Sequence, residues 1–153
     1  MSLLKSLTVA FLSIFLLAGC SSTSVVDTAV YDEISKIGIS IDKGRTEQLY
    51  RQELQRMISR NGLQDQQYEL RSEISSDIGD NNVVMSVKFV LYDQSVGEEI
   101  LRHGFSSSAS IGAVSSTFAS SQAEDHAQER LSLILAQKTF GHLMLFFSNR
   151  NGE

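Results

Sequence analysis

The longest alternating run in the chain is Val83-Val84-Met85-Ser86-Val87-Lys88-Phe89-Val90-Leu91. Apolar side chains fall at every second position from Val83 to Leu91, which is the period of a β-strand with one buried face. Because no other alternating run is as long, we expect this strand to lie in the centre of a sheet.

Three further segments carry the same period of two. Residues 34–41 place isoleucine at positions 37, 39 and 41, and residues 68–74 alternate apolar side chains with glutamate and arginine. After a loop at residues 93–97, a hairpin returns the chain into a strand over residues 99–107, with Leu101, His103 and Phe105 on one face. The pattern therefore predicts four strands.

Two segments have helical spacing. The first begins near Thr46, a candidate N-cap, and ends at Asn61-Gly62, where glycine adopts a left-handed cap at little cost. The second begins at Ser121 and Glu124, which have the spacing of a capping box, and continues to an apolar end at residues 142–147. The serine-rich tract between the fourth strand and this helix, residues 106–121, fits either a longer strand or a loop.

The order of these elements is strand, helix, three strands, helix. It predicts an α+β fold, a two-layer sandwich in which a four-stranded mixed sheet carries two helices on one face. The first two strands are joined through a helix and should be parallel if they are neighbours, whereas strands two to four should be antiparallel. The other face of the sheet is expected to stay open unless a partner covers it.

Composition limits the function. The 153 residues carry a formal charge of −5, which argues against nucleic acid as a partner. A single cysteine excludes an intrachain disulfide, so the core must stabilise the domain alone. The length fits one domain.

The N-terminal segment has the features of an export signal. Lys5 precedes an apolar run at residues 7–17, which is too short to span a bilayer but suits a secretory signal peptide. The next residues, Ala18-Gly19-Cys20, together with Leu17 resemble the lipobox of bacterial lipoproteins. The alternative is an ordinary cysteine near the end of a signal peptide, or a free thiol in a cytosolic protein.

The lipobox resemblance implies that residues 1–19 are removed and that Cys20 is lipidated. One acyl chain gives only marginal membrane binding, whereas bacterial lipoproteins carry three. Ser21 stands where aspartate retains many lipoproteins in the inner membrane, which implies the outer membrane, facing the periplasm. We expect a lipidated tether at residues 20–33, a folded domain at residues 34–148 and a C-terminal tail at residues 149–153.

Several segments of the mature chain, in order, resemble the LPS-assembly lipoprotein LptE family. They lie between about residue 34 and residue 147. They are Gly44-Arg45-Thr46 through Leu54, Leu91-Tyr92-Asp93, Gly97-Glu98-Glu99-Ile100-Leu101, Ser108-Ala109-Ser110, Phe118-Ala119, Ala127-Gln128-Glu129-Arg130, Leu135-Ala136 and Leu143-Met144-Leu145-Phe146-Phe147.

The resemblance to LptE implies a non-catalytic role without cofactor or metal. Proteins of this family plug the outer-membrane β-barrel LptD, help it fold and take part in delivering lipopolysaccharide to the outer leaflet. The expected partners are therefore an LptD-like barrel, lipopolysaccharide and, through Cys20, the outer membrane. Lipopolysaccharide carries phosphates, which basic side chains bind.

Alternation places Arg71, Lys88 and Arg102 on the polar side of three successive strands. Our hypothesis is that these residues form a shared row that contacts lipopolysaccharide phosphates. The alternative is three unrelated surface charges, with Arg71 neutralised by the nearby glutamates.

Other functions find less support in the sequence. His103, His126 and His142 lie far apart, and the chain has no H-E-x-x-H or G-x-S-x-G motif, so little favours a periplasmic envelope enzyme. His103 is better interpreted as a core or partner-facing histidine than as a ligand. An accessory lipoprotein of another envelope lipid-transport or barrel-assembly machine remains an alternative with the same domain.

Overall fold

The computed structural model of the protein describes residues 28–41, 44–59, 65–112 and 116–151. In this part of the chain it contains three helices and four strands. They are α1 (Thr28–Ser35), β1 (Ile37–Ile41), α2 (Arg45–Ile58), β2 (Tyr68–Ile78), β3 (Asn82–Asp93), β4 (Glu98–Ser110) and α3 (Thr117–Asn151).

The four strands form one mixed sheet in the order β1-β2-β3-β4. β1 is parallel to β2, with Ile37 beside Tyr68, and the two later pairs are antiparallel. The turn from β3 to β4 includes Gly97, whose φ of 71° lies in the left-handed region that glycine adopts without strain. These observations confirm the predicted α+β fold with a four-stranded mixed sheet, and they place the long alternating run in an inner strand.

The core lies between the sheet and the helices. Every second residue of β3 is buried, because alternate side chains of a strand point to opposite faces. The helices close over this face with apolar side chains that belong to the same cluster. The largest buried side chains of the core are Ile34, Ile37, Tyr50, Leu54, Leu70, Met85, Phe89, Leu91, Leu131, Leu135, Leu143 and Phe147.

Three buried hydroxyl groups, one each from α2, α3 and β2, lie close together in the core. Tyr50 donates a hydrogen bond to Thr139 Oγ1 at 3.0 Å, and its hydroxyl lies 3.4 Å from Ser72 Oγ. A buried hydroxyl without a hydrogen-bond partner lowers the stability of the fold. The pairing with Tyr50 therefore offsets the cost of burying Ser72 and Thr139 in the core.

The helix α1 corrects the predicted tether at residues 20–33. Thr28–Ser35 is helical, and Val30 and Ile34, four residues apart, are buried against the core. Tyr68 donates a hydrogen bond to Glu33 at 2.8 Å, and burial together with this carboxylate raises the pKa of Tyr68 to about 12. Because the helix extends to Ser35, the first strand begins at Ile37 and not at Ile34. Residues 28–33 therefore belong to the folded domain and not to the tether.

Two helix starts differ from the predicted ones. α2 begins at Arg45 after Gly44, and the Thr46 hydroxyl contacts Glu47 and does not cap the helix. α3 begins at Thr117, four residues before Ser121, because the Ser116 hydroxyl accepts a hydrogen bond from the backbone amide of Ala119. The predicted end of α2 at Asn61-Gly62 lies outside the described residues.

The serine-rich tract divides between two elements. β4 continues to Ser110, and its last residues pair with the start of β3. α3 runs to Asn151, so residues 149–151 belong to the helix and not to a tail. By length and hydropathy the segment Thr117–Arg150 is also able to cross a membrane, but its buried stripe, from Ala127 to Phe147, packs on the sheet as a core helix.

Candidate functional site: the open face of the sheet

The face of the sheet opposite the helices is the candidate site, and we call it the open face. Its side chains come from the alternate positions of β2, β3 and β4, and none of them is buried. They include Glu69, Arg71, Glu73, Ser75, Val84, Ser86, Lys88, Val90, Tyr92, Arg102, Gly104, Ser106 and Ser108.

The strand register brings the three predicted basic residues together. Val90 lies opposite Arg71 on one side and opposite Arg102 on the other, so the two arginines share one row across the sheet. Lys88 lies two residues from Val90 on β3, between Glu73 and Gly104 of the neighbouring strands. The three cations therefore border a common area at the middle of the open face.

This area is a shallow depression of about 610 Å³, which all three cations line. Gly104 helps to form it because glycine has no side chain beside Lys88. A Cβ atom at this position would lie 3.0 Å from the carbonyl oxygen of Val87. Replacement of Gly104 would therefore both fill the depression and crowd the β3–β4 pairing.

Both arginines already have carboxylate partners. Arg71 Nη2 lies 2.8 Å from Glu69 Oε2, and its guanidinium stands 4.7 Å from the ring centroid of Tyr92. Arg102 forms a two-bond pair with Glu99, with Nε 2.8 Å from Oε1. The hydrogen bonds from the arginines lower the pKa of Glu69 and Glu99, so both carboxylates stay charged at neutral pH.

Lys88 differs from the two arginines. In the part of the chain that the structure describes, its ammonium group has no carboxylate within salt-bridge distance, although Glu73 is its cross-strand neighbour. Exposed ion pairs contribute only about 0–1 kcal/mol, so an incoming phosphate with more than one charge is able to displace the glutamates from the arginines. The depression thus combines one lysine without a carboxylate partner among the described residues and two arginines whose glutamate partners a phosphate is able to displace.

The other predicted site residue, Cys20, lies outside the described residues. Among the described residues, no group of three or more His, Cys, Asp or Glu side chains is placed to hold a metal ion. His126 is on the surface, 3.6 Å from Glu129, at the beginning of α3. The three histidines do not form one cluster, since only two of them meet.

The structure brings together two histidines that the sequence keeps 39 positions apart. His103 of β4 and His142 of α3 stack with ring centroids 4.1 Å apart and planes inclined by 16°. Phe105 and Phe89 surround the pair at centroid distances of 5.6 and 6.1 Å from His142. Periodicity placed His103 on the helix-facing side of its strand, but no local pattern could have predicted its contact with α3.

This histidine pair predicts a loss of stability in mild acid. Partial burial, and then the charge of His103, lower the pKa of His142 below its usual value of 6.5. The unfolded chain therefore binds a proton before the folded chain does, so the free energy of unfolding falls as the pH drops through 6.5 towards the folded pKa. Urea unfolding measured between pH 7.5 and about 5 should show this fall.

A matched pair of variants isolates the effect. His142→Gln should flatten the dependence of the unfolding free energy on pH in this range, whereas His126→Gln, which changes an exposed histidine of the same helix, should keep it. An equally steep dependence in His142→Gln and the wild type would show that the stack does not cause the loss.

Comparison with known proteins supports the fold. No family model matches the sequence, and no curated protein is similar enough to match. Two crystal structures are among the solved structures that match this fold. A protein of Caulobacter crescentus CB15 assigned as a lipoprotein superposes with a TM-score of 0.65 at 22% identity, covering 79% of this chain and 96% of its own.

The second structure is a minor lipoprotein from Acinetobacter baumannii. It superposes with a TM-score of 0.60 at 17% identity, covering 74% of this chain and 91% of its own. At these identities the likeness establishes the fold of the domain.

Proposed function

We propose that the protein is a lipid-anchored outer-membrane lipoprotein that plugs an LptD-like β-barrel and assists its assembly during lipopolysaccharide transport. The observation that carries the proposal is the sheet that is covered on one side only, with a polar open face. Two solved structures of the same fold are assigned as lipoproteins, which agrees with the lipobox-like residues before Cys20 in this sequence.

A one-sided sheet suits the inside of a membrane barrel. The interior of an outer-membrane barrel is polar, whereas its outer surface is an apolar band. The open face carries serine and charged side chains around a few half-buried apolar residues, so it matches a polar wall and not a lipid surface. The helices protect the apolar side of the sheet, which lets the domain stay folded before it meets the barrel.

The anchor places the domain at the membrane. Lipidation of Cys20 with three chains gives near-permanent attachment, since each buried methylene contributes about 0.8 kcal/mol. Ser21 directs the protein to the outer membrane in this proposal, and the residues up to Thr28, where α1 begins, link the lipid to the domain. The domain then faces the periplasm, on the side from which lipopolysaccharide arrives.

The depression on the open face is the proposed contact for lipopolysaccharide phosphates. Arg71 and Arg102 offer planar guanidinium groups for paired hydrogen bonds to phosphate oxygens, and Lys88 adds a point charge beside them on β3. The open face would then have two roles, one towards the barrel wall and one towards the head group of the transported lipid.

Removing the three cations should weaken lipopolysaccharide binding. We expect the variant Arg71→Ala, Lys88→Ala, Arg102→Ala to bind lipopolysaccharide at least about tenfold more weakly than the wild type, corresponding to about 1.4 kcal/mol. The measurement is binding of purified lipopolysaccharide to the immobilised protein. Because salt screens the attraction between exposed cations and phosphates, the difference in affinity between the variant and the wild type should be largest at low salt.

A control variant of equal charge separates this site from general electrostatics. Arg45→Ala, Arg51→Ala, Arg56→Ala removes three arginines from α2, on the other side of the domain, and should retain binding. Equal affinity of the Arg71, Lys88 and Arg102 variant and the wild type, or an equal loss in both variants, would exclude a specific phosphate site on the open face.

Purification of the lipidated chain from outer membranes tests the function itself. We expect a stable complex with an LptD-like barrel, identified by the mass of the bound protein. A complex with a different barrel or transporter would instead identify an accessory of another envelope machine. Turnover of a cell-wall substrate by the purified chain would indicate an enzyme, and either result would overturn the proposal.

A further inference from the structure

The outer edge of β4 is a long unpaired strand edge. β4 has 13 residues, its inner side pairs with β3, and the sheet ends with β4 in the described part of the chain. An edge of this kind exposes backbone amides and carbonyls to which another strand can add.

The register shows which residues direct their backbone outwards. The amide of Ile111 donates to the carbonyl of Asn81 at 2.8 Å, so the neighbouring pair Asn82–Ser110 does not exchange hydrogen bonds. Because the direction of the backbone groups alternates along a strand, the amide and carbonyl of every second residue from Ser110 back to the bulge near Leu101 point away from β3. These residues are Arg102, Gly104, Ser106, Ser108 and Ser110.

Lys138 of α3 lies across this edge. Its ammonium group donates hydrogen bonds to the outward carbonyl of Ser106 at 3.1 Å and to Ser107 Oγ at 2.7 Å. A lysine at a strand edge is a common means of preventing unwanted strand addition, since a second strand would have to displace or bury its charge.

We propose that the outer edge of β4 pairs with the β4 edge of a second copy of this chain and that Lys138 weakens this pairing. Pairing is antiparallel and centred on Gly104, so that each outward residue meets an outward residue of the second copy. Gly104 faces its own counterpart, and Arg102 faces Ser106 of the second copy. This inference does not depend on the proposed function.

Charge excludes one alternative register. Arg102 is the only Lys, Arg, Asp or Glu in β4 beyond Glu99, and Glu99 already balances it through a two-bond pair. A register centred on Arg102 would place two arginines directly opposite each other, which destabilises a strand pair. Centring on Gly104 leaves no like charges opposite one another.

Partly exposed apolar side chains beside the β4 edge favour a second copy of the chain as the pairing partner, because its own copies of these side chains would cover them. On the helix side of the sheet, the exposed His103 would lie beside Phe105 of the second copy, which is itself half-buried, and each such pair occurs twice. Leu145, which is 63% exposed, follows Lys138 by seven residues and so lies on the same side of α3. The two α3 helices would meet along this side and cover Leu145.

The same geometry explains the role of Lys138. In this register the outward carbonyl of Ser106 has to accept a hydrogen bond from the amide of Arg102 of the second copy, so pairing displaces the Lys138 ammonium group of each copy from that carbonyl. We therefore expect the wild type to dimerise only weakly and the variant Lys138→Ala to dimerise with a dissociation constant at least about tenfold lower.

Sedimentation of the full lipidated chain in detergent tests this expectation. Lys138→Arg, which keeps the charge, should sediment as the wild type does. Adding Ser106→Pro to Lys138→Ala should restore the monomer, because proline removes an outward amide and leaves the bonds to β3 intact. A Lys138→Ala chain that sediments as the wild type, or one that still dimerises with proline at position 106, would overturn the proposal.

Hydrogen exchange in the wild type provides a second test that needs no variant. At high protein concentration the amides of Gly104 and Ser106 should exchange more slowly than at low concentration, because a fraction of the chains pairs. The amide of Lys88 on β3 serves as the reference for stability of the sheet. Exchange rates of Gly104 and Ser106 that stay constant across the concentration range would contradict the proposal.

Discussion

Replacing Cys20 by alanine is expected to remove the protein from the outer-membrane fraction. In the proposed function the anchor consists of acyl chains on this thiol, and the apolar run at residues 7–17 is too short to serve as a transmembrane helix instead. Separation of membranes by density, followed by detection of the chain, measures the loss. The intact mass of the variant should also lack the acyl groups that we expect on the wild type.

Ser21→Ala is the control for this experiment, since it changes the neighbouring residue and keeps the thiol. It should remain acylated and in the outer membrane. Recovery of the Cys20→Ala chain in the outer membrane at the wild-type level would show that the protein is held there by something other than lipid.

Phe89→Ala is expected to lower the free energy of unfolding by about 3–5 kcal/mol, because it leaves a cavity in the core. Phe89 is fully buried on the inner strand β3, with Phe105 at 6.0 Å and His103 at 6.2 Å between ring centroids. Domains of this kind are stable by about 5–15 kcal/mol, so the variant would lose a large part of its stability. Urea unfolding at pH 7.5 measures the difference.

The same substitution at an exposed position provides the comparison. Phe118 is 74% exposed near the start of α3, so Phe118→Ala should change stability by less than about 0.5 kcal/mol. Similar small losses in both variants would mean that Phe89 is not part of a tightly packed core.

The sheet was predictable because its strands alternate in sequence. One face of β3 is apolar from Val83 to Leu91, and the burial of every second residue in this run follows directly from the pattern. The sequence also placed Arg71, Lys88 and Arg102 on one face, since alternation fixes the face of each residue. Their arrangement around one depression, however, depends on register, which a single strand does not encode.

Other features escaped prediction for physical reasons. α1 has only eight residues and two buried apolar side chains, too few to show a helical period. The end of β2 is exposed on both faces, so its residues alternate in no recognisable way, and only pairing with β3 keeps them extended. The stack of His103 on His142 arises from packing of α3 on β4 and has no local signature.

The central claim is that the open face is covered by a membrane barrel in the cell. Ser86 lies at the middle of this face, between Ser75 of β2 and Ser106 of β4, so a larger side chain there would point away from the core. A photoreactive phenylalanine analogue at position 86, irradiated in intact cells, would join the chain to whatever lies against the face. The account predicts an adduct with an outer-membrane β-barrel, identified by mass. Adducts only with proteins that are not barrels, or none in cells where the chain is lipidated and folded, would contradict it.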